Sequence, residues 1–429
     1  MEPACPLING HKSSVADIAF SPFDSSLMAT AGGDCVVKCW QLPRDADGPI
    51  PSMTETDAAV TLKTHRHCVR TVNFHPTVQN LLTTTSQDMT IRLYDVSAGS
   101  EISCLSLDLP DAALSTNVSY NFDGSLMAVS FKDRVVRIID PRLNNIVAAT
   151  PESTSTVLSR NLQAIWCSSS GGQSSALLSV SAVSSGTRMV HLWDPRNLTE
   201  FVCSRTLDNG SGQLIPMFDE SSGVCFIAGK GDTIVRYFEC TFLNNVSGAW
   251  AGSCERGTDF QTNSREPIAG ICMLPKRHCN VMNVEVSKLL KLTVDSVTPI
   301  TFTLPRAEPL KRFFQDDVFG AVRSKESNAT IHDWKSSMAN PSALDSSFLM
   351  PLLESLKPAG VTSLSDKPVE VASKPSSVRL REEIKKEEDD KRIRNDAFTK
   401  LVSKHTGPKS FKVDSKLVDE DSDDNNWDD

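Results

Sequence analysis

The sequence has no stretch of about eighteen apolar residues, and its opening residues hold no basic segment followed by an apolar run. Neither a membrane span nor secretion is therefore expected. Catalytic and metal-binding signatures are equally scarce. Ala228-Gly229-Lys230-Gly231-Asp232 lacks the spacing between glycines and the Ser or Thr after Lys that a phosphate loop needs, and strand-forming residues follow it. His65, His67, Cys68 and His75 have no second Cys-X-X-Cys half to close a tetrahedral zinc site, so a loop ahead of a strand is their expected setting. No Ser/His/Asp order or paired carboxylate stands out. A protein without enzymatic activity, cofactor or metal is expected.

Cysteine is present, at 12 residues, but the scatter of Cys5, Cys35, Cys39, Cys68, Cys104 and Cys167 onward matches no small secreted disulfide scaffold. Buried free thiols in a reducing cytosol are the better reading. Sequons at Asn117, Asn197, Asn209, Asn245 and Asn328 would matter only in the secretory pathway, and are read as chance.

Charge is concentrated at one end. The formal net charge is −9, and Asp419, Glu420, Asp421, Asp423, Asp424, Asp428 and Asp429 supply −7 of it, leaving −2 for everything else. A near-neutral body with an acidic end disfavours nucleic acid as a partner and favours a basic protein groove for the tail.

An internal repeat organises residues 10 to about 305. A turn-forming Asp or Gly precedes a few residues of alternating character that end in an aromatic or apolar residue. The instances are Gly33-Asp34 to Trp40, Gln87-Asp88 to Tyr94-Asp95, Lys132-Asp133 to Ile139-Asp140, Gly186-Thr187 to Trp193-Asp194, and Gly231-Asp232 to Phe238-Glu239. The end residues Trp40, Tyr94, Ile139, Trp193 and Phe238 are spaced by 54, 45, 54 and 45 positions, near the ~40–45 of a WD-type propeller blade with insertions. Period-two alternation and dense β-branched residues read as strands, giving an all-β propeller of about six blades. In WD repeats a His so placed commonly bonds through Ser or Thr and the turn Asp toward the Trp, and by that resemblance His11, Thr30, Asp34 and Trp40 of the first blade are expected to form a buried polar chain that fixes blade register. Asp88, Tyr94, Asp133, Trp193, Asp232 and Phe238 hold the corresponding structural positions in later blades.

Several segments resemble coronins specifically. These are Gly10-His11-Lys12-Ser13-Ser14-Val15 through Phe20-Ser21-Pro22 to Asp34-Cys35-Val36-Val37-Lys38-Cys39-Trp40-Gln41-Leu42-Pro43, Leu214-Ile215-Pro216-Met217-Phe218-Asp219 with Phe226-Ile227-Ala228-Gly229-Lys230-Gly231-Asp232, and Met273-Leu274-Pro275-Lys276-Arg277 with Ile300 to Pro305-Arg306. Phe314-Gln315-Asp316-Asp317-Val318-Phe319 and Asp333-Trp334 look like the extension that coronins pack on one propeller face. The resemblance covers roughly residues 7–357. It implies a seven-bladed propeller that binds filamentous actin and influences the Arp2/3 complex. It also implies a blade ahead of Gly10-His11 that this sequence lacks, so the ring has six blades, closes imperfectly, or belongs to a longer product. An unclosed ring would expose a sheet edge.

The tail departs from short coronins. Between residues 378 and 402 the apolar positions Val378, Leu380, Ile384, Ile393, Phe398, Leu401 and Val402 are too sparse for a/d heptads, so no coiled-coil trimer is expected. The acidic end resembles that of the tandem-propeller coronins of the POD class. The expected organisation is a propeller over 1–305, an extension over 306–357, a linker over 358–377, a charged helical segment over 378–404 and a disordered acidic tail over 405–429. Phe398, Leu401 and Val402 would share one face of a short helix, similar to the connector of WASP-family nucleation-promoting factors. Asp421, Asp423, Asp424, Trp427, Asp428 and Asp429 resemble their acidic motif, with Trp427 as the anchor. A cytoplasmic adaptor follows as the expectation: F-actin, the Arp2/3 complex and other proteins on the propeller faces are its partners. Golgi or vesicle periphery and cell polarity are the setting implied by the tandem type, with any membrane association peripheral and through partners. The rival reading is a general WD scaffold for trafficking or ubiquitin-ligase assembly with a merely solubilising tail.

Overall fold

The computed structural model describes residues 7–366 apart from 44–51, 108–113, 152–159, 169–171, 173, 184–185, 245–249, 257–259, 262–265, 308 and 340–345. Among these residues the chain forms a six-bladed β-propeller. Blade 1 takes Val15–Phe20, Leu27–Gly32, Val37–Gln41 and Val60–Leu62. Blade 2 takes Val69–Phe74, Leu81–Ser86, Thr90–Asp95 and Ser100–Ser106. Blade 3 takes Ser115–Tyr120, Met127–Phe131, Val136–Asp140 and Asn145–Ala149. Blade 4 takes Arg160–Ser168, Ser175–Ala182, Thr187–Asp194 and Asn197–Asn209. Blade 5 takes Leu214–Asp219, Val224–Gly229, Ile234–Asn244 and Trp250–Arg256, and blade 6 has three strands, Gly270–Met273, Glu285–Leu292 and Val297–Thr303. Every pairing within a blade is antiparallel, first strand innermost.

The middle strands of a blade have neighbouring sheets on both faces, which explains why alternation fades there into short unbroken runs of apolar and small residues. Leu27–Gly32 is buried at every position, and so is Met127–Phe131. Apolar clusters join consecutive blades. Ala29, Ala31 and Cys39 meet Val69 and Val72; Ile91 and Leu107 meet Val129 and Ile139; Val136 and Ile138 meet Leu177 and Trp193. Leu178 and Val190 then meet Ile227 and Phe238, and Phe226 and Ala228 meet Leu289 and Ile300.

Among the described residues no such cluster joins blade 6 to blade 1. The inner strand of blade 1 leaves Phe20 56% exposed, whereas Phe74 at the same place in blade 2 is 9% exposed. On blade 6, Ile300 is buried against blade 5 while Val297 and Leu292 are exposed. Apolar side chains on the inner strand of blade 1 and at the strand ends of blade 6 are thus left exposed.

The turns between second and third strands repeat one backbone feature. Cys35, Met89 and Arg134 adopt φ of 65, 58 and 69°, each following the turn Asp. Left-handed backbone costs a non-glycine residue roughly 1–2 kcal/mol. The carboxylate offsets part of this by accepting from a backbone N–H two residues on: Val36 to Asp34, Thr90 to Asp88, and Val135 to Asp133.

After blade 6 the chain returns across the propeller. Thr330 and Asp333 cap the helix Ile331–Ala339 reciprocally, Asp333 Oδ2 accepting from the Thr330 amide at 2.9 Å and Thr330 Oγ1 from the Asp333 amide at 3.3 Å. The helix delivers Trp334, fully buried, among Val78, Leu81 and Leu93 of blade 2. Its ring meets His75 edge-on at 4.8 Å, and Tyr120 flanks the same imidazole at 4.9 Å. The His75 ring is held neutral: Nε2 lies 2.9 Å from the Gly124 carbonyl as donor, and Nδ1 accepts from the Val78 amide at 3.0 Å. Gly124, at φ +75°, is required here, because a Cβ would lie 2.2 Å from His75 Cε1.

Two outcomes follow for stability. Trp334→Ala should cost about 3–5 kcal/mol, read from urea unfolding midpoints. Burial pushes His75 from its ordinary 6.5 down to about 3, so the unfolded chain binds a proton that the folded one refuses. Its contribution is complete above pH 6.5 and declines as pH falls toward 3, by up to ~1.4 kcal/mol per pH unit. His75→Gln should flatten the slope of stability against pH between 6.5 and 4.

Candidate protein-interaction surfaces

The two ends of the propeller are built differently. At the end where inner strands begin, polar chains tie the turns together. His11 Nδ1 lies 3.0 Å from Asp34 Oδ1, His11 Nε2 lies 2.7 Å from Thr30 Oγ1, and Trp40 Nε1 donates to Thr30 Oγ1 at 3.0 Å. Gly10 lets the chain lie flat on the Trp40 ring, where a Cβ would come within 2.2 Å. Blade 2 repeats the arrangement. His65 Nδ1 is 3.0 Å from Asp88 and its Nε2 is 2.7 Å from Thr84 Oγ1. Tyr94, standing where blade 1 has Trp40, hydrogen-bonds Thr64 through its hydroxyl.

The electrostatics are consistent with structural use. Burial raises Asp88, but the Thr90 hydroxyl, the Arg66 amide and His65 outweigh it and bring the carboxyl down to about 2. Burial lowers His65 against the pull of Asp88. Both imidazoles are saturated by protein partners.

Later blades replace histidine by arginine at the turn acid. Asp133 pairs with Arg137 Nη2 at 2.6 Å. Asp232 accepts from Arg188 Nη2 at 2.7 Å and from Arg236 Nη1 at 3.4 Å, while Arg188 Nε reaches Asp208 at 2.6 Å and Arg236 also bonds Asp208. Two guanidiniums and two carboxylates therefore bridge blades 4 and 5. Trp193 Nε1 donates to Ser179 Oγ at 2.8 Å, and Phe238 is fully buried.

The opposite end carries a cavity of about 320 Å³ where inner strands of four consecutive blades finish. Phe74, Tyr120, Ile165, Trp166 and Phe218 supply its walls, and the Glu220–Arg323 pair closes one side. That pair is bidentate, with Arg323 Nε and Nη2 donating to Glu220 at 2.9 and 2.7 Å, and Arg323 comes from the returning extension. Asn73, Ser119 and this ion pair make the mouth polar as well as apolar. Among the described residues no group of His, Cys, Asp and Glu could hold a metal ion, and no helix is long and apolar enough to cross a membrane.

The WD domain, G-beta repeat profile matches residues 5–41 and 58–95. Coronin-like protein crn1 of Schizosaccharomyces pombe is 31% identical over 346 residues, 80% of this chain and 53% of its own length. Coronin-2A of Homo sapiens is 28% identical over 390 residues, 89% of this chain and 68% of its own. Coronin-7 of Rattus norvegicus is 30% identical over 393 residues, 90% of this chain and 39% of its own. The chain is similar to coronins over most of its length. The solved WD40 domain of Toxoplasma gondii coronin shares its fold at a TM-score of 0.70 and 24% identity, over 83% of this chain and 84% of that one. The chain spans about half the length of the curated relatives it matches.

The sequence-derived residues fall in two groups. His11, Asp34, Trp40, Asp88, Tyr94, Asp133, Trp193, Asp232 and Phe238 lie within blades as described above. Phe398, Leu401, Val402, Asp421, Asp423, Asp424, Trp427, Asp428 and Asp429 lie outside the described residues. Sequence reasoning passed over His65, weighing it only as a metal ligand. The signal was present: His65 stands 23 residues before Asp88 and 19 before Thr84, the same separations as His11 to Asp34 and to Thr30.

Asp88→Ala should cost about 1–3 kcal/mol by stranding His65 and the Arg66 amide. Asp133→Ala, which breaks a pair nearer solvent, should cost below about 1 kcal/mol. The depressed Asp88 carboxyl stabilises the fold above its ordinary 3.8, and that share is lost as pH falls through about 2. Denaturant titrations of both variants at pH 7 and pH 3 check the ranking.

Proposed function

We propose that this chain is a non-catalytic regulator of the actin cytoskeleton, whose propeller binds filamentous actin and whose acidic tail engages the Arp2/3 complex. The observation that carries the reading is likeness to coronins across 80–90% of the chain. A propeller offers two ends and an outer rim to protein partners, and both ends here are built from saturated or apolar groups rather than a reactive site. The tail adds the second contact. Asp423, Asp424, Asp428 and Asp429 surround Trp427, so long-range attraction to a basic surface combines with one aromatic anchor. An adaptor with these two contacts would link actin organisation to Golgi or vesicle traffic or to cell polarity.

The test uses the full chain. Co-sedimentation with actin filaments is expected, and Trp427→Ala should weaken binding to purified Arp2/3 complex by ~30-fold, the equivalent of about 2 kcal/mol. Filament binding should survive that change. A chain that neither sediments with filaments nor binds the complex is a general WD scaffold whose tail only solubilises.

A further inference from the structure

The apolar cluster between blades 4 and 5 contains Cys167, Cys225, Cys240 and Cys254, with Cys203 packed against it. Two of these thiols differ from the rest in geometry. Cys240 and Cys254 are paired in register on the antiparallel third and fourth strands of blade 5. Their Sγ atoms are 3.1 Å apart. Directly opposed strand residues hold their Cβ atoms about 4.5–5.5 Å apart, close to the ~3.5–4.5 Å of a disulfide. Bond formation there needs side-chain rotation and a small approach of the strands, with no rebuilding of the backbone.

The pair is also chemically asymmetric. The two thiols share a hydrogen bond in which either sulfur can donate, and this contact, aided by the Arg205 guanidinium, holds Cys254 below the ordinary thiol value of 9.0 against the effect of burial. The same bond and burial push Cys240 up. Arg205 Nε is anchored beside the pair, 3.3 Å from the Cys254 carbonyl. The lowered thiol is the one suited to attack and its neighbour the one placed to resolve, the division of labour that thiol oxidation uses. The fourth strand is the outer one of its sheet, and the adjoining pair Thr241 and Ser253 is exposed. The thiols themselves are 5% and 1% exposed, so a hydroperoxide must reach them past that outer strand.

We propose that Cys240 and Cys254 are an oxidation site at which a hydroperoxide converts two thiols into a cross-strand disulfide. The Cys254 thiolate attacks one peroxide oxygen, the O–O bond breaks, and the leaving hydroxide takes the Cys240 proton to become water. The Cys240 thiolate then attacks the sulfenic sulfur of Cys254, forming S–S and breaking S–O. The second hydroxide is protonated to water by the proton released when Cys254 ionised. Two thiols and one hydrogen peroxide give one disulfide and two waters. The product ties the outer strand of blade 5 to its neighbour, on the side that packs against blade 4.

The full chain is treated with hydrogen peroxide under native conditions, quenched, unfolded, alkylated and mapped by mass spectrometry. A linked peptide pair joining Cys240 and Cys254, about 2 Da lighter than the sum of the reduced peptides, is expected. It should form before exposed Cys104 and Cys272 are oxidised. Cys254→Ser should abolish the link, Cys203→Ser should leave it, and dithiothreitol should restore both thiols. The map of the unsubstituted chain is decisive by itself should a variant misfold. Alkylation of both Cys240 and Cys254 after treatment that oxidises Cys104 or Cys272 overturns the proposal.

Discussion

Burial of one blade's apolar face against the next is the interaction on which the rest of the molecule depends. Backbone hydrogen bonds hold each sheet together, but they do not order one sheet relative to another. That order comes from Ala29 and Ala31 meeting Val69 and Val72, and from the corresponding sets around the propeller. Small residues at Ala29, Ala31, Ala128 and Ala228 let the sheets approach near the axis, while Trp40, Trp193 and Phe238 fill the wider spaces. The polar chains then remove a degeneracy that apolar packing leaves. A one-residue slip of a strand would reverse its faces, and the bonds from His11 to Thr30 and Asp34 are satisfied in one register only.

Much of this was legible in the sequence because a propeller repeats itself. The end residues Trp40, Tyr94, Ile139, Trp193 and Phe238 all have essentially no exposure. Blade 6 was visible only through its likeness to coronins, since its second and third strands meet at Thr293 to Ser296 without the turn motif of earlier blades. His65 and His75 show the limit of reading residues singly. With Cys68 they were set aside as a zinc site and expected in a loop ahead of a strand, yet one belongs to a polar chain within blade 2 and the other is a core imidazole between Tyr120 and Trp334. Local spacing could find the first, whereas no local signal announces a partner about 260 residues away in the chain. The cavity at the channel mouth was hidden for the same reason, being assembled from four strand ends and Arg323.

The returning extension couples regions that the repeat keeps separate. Trp334 rests on blade 2 while Arg323 grips Glu220 next to blade 5, so one segment touches both sides of the channel mouth. Lys335 also reaches Asp95 at 3.1 Å, and Phe314 with Phe319 packs on Val284 of blade 6. The mouth is consequently framed by residues distant in sequence, and the extension shapes whatever surface is offered there.

Among the described residues no apolar cluster joins blades 1 and 6, which gives the array ends that a closed ring does not have. In a ring every blade has two neighbours, so loss of one contact is shared around the circle. With five apolar junctions among the described residues of six blades, the outer members have one such neighbour each, and stability becomes a sum of intrinsic and nearest-neighbour terms, as in solenoid repeats. Cooperativity is then graded along the chain. The junctions around blades 3 and 4 are supported from both directions, while blade 1, with Phe20 facing water, is held chiefly by blade 2 and by its own polar chain.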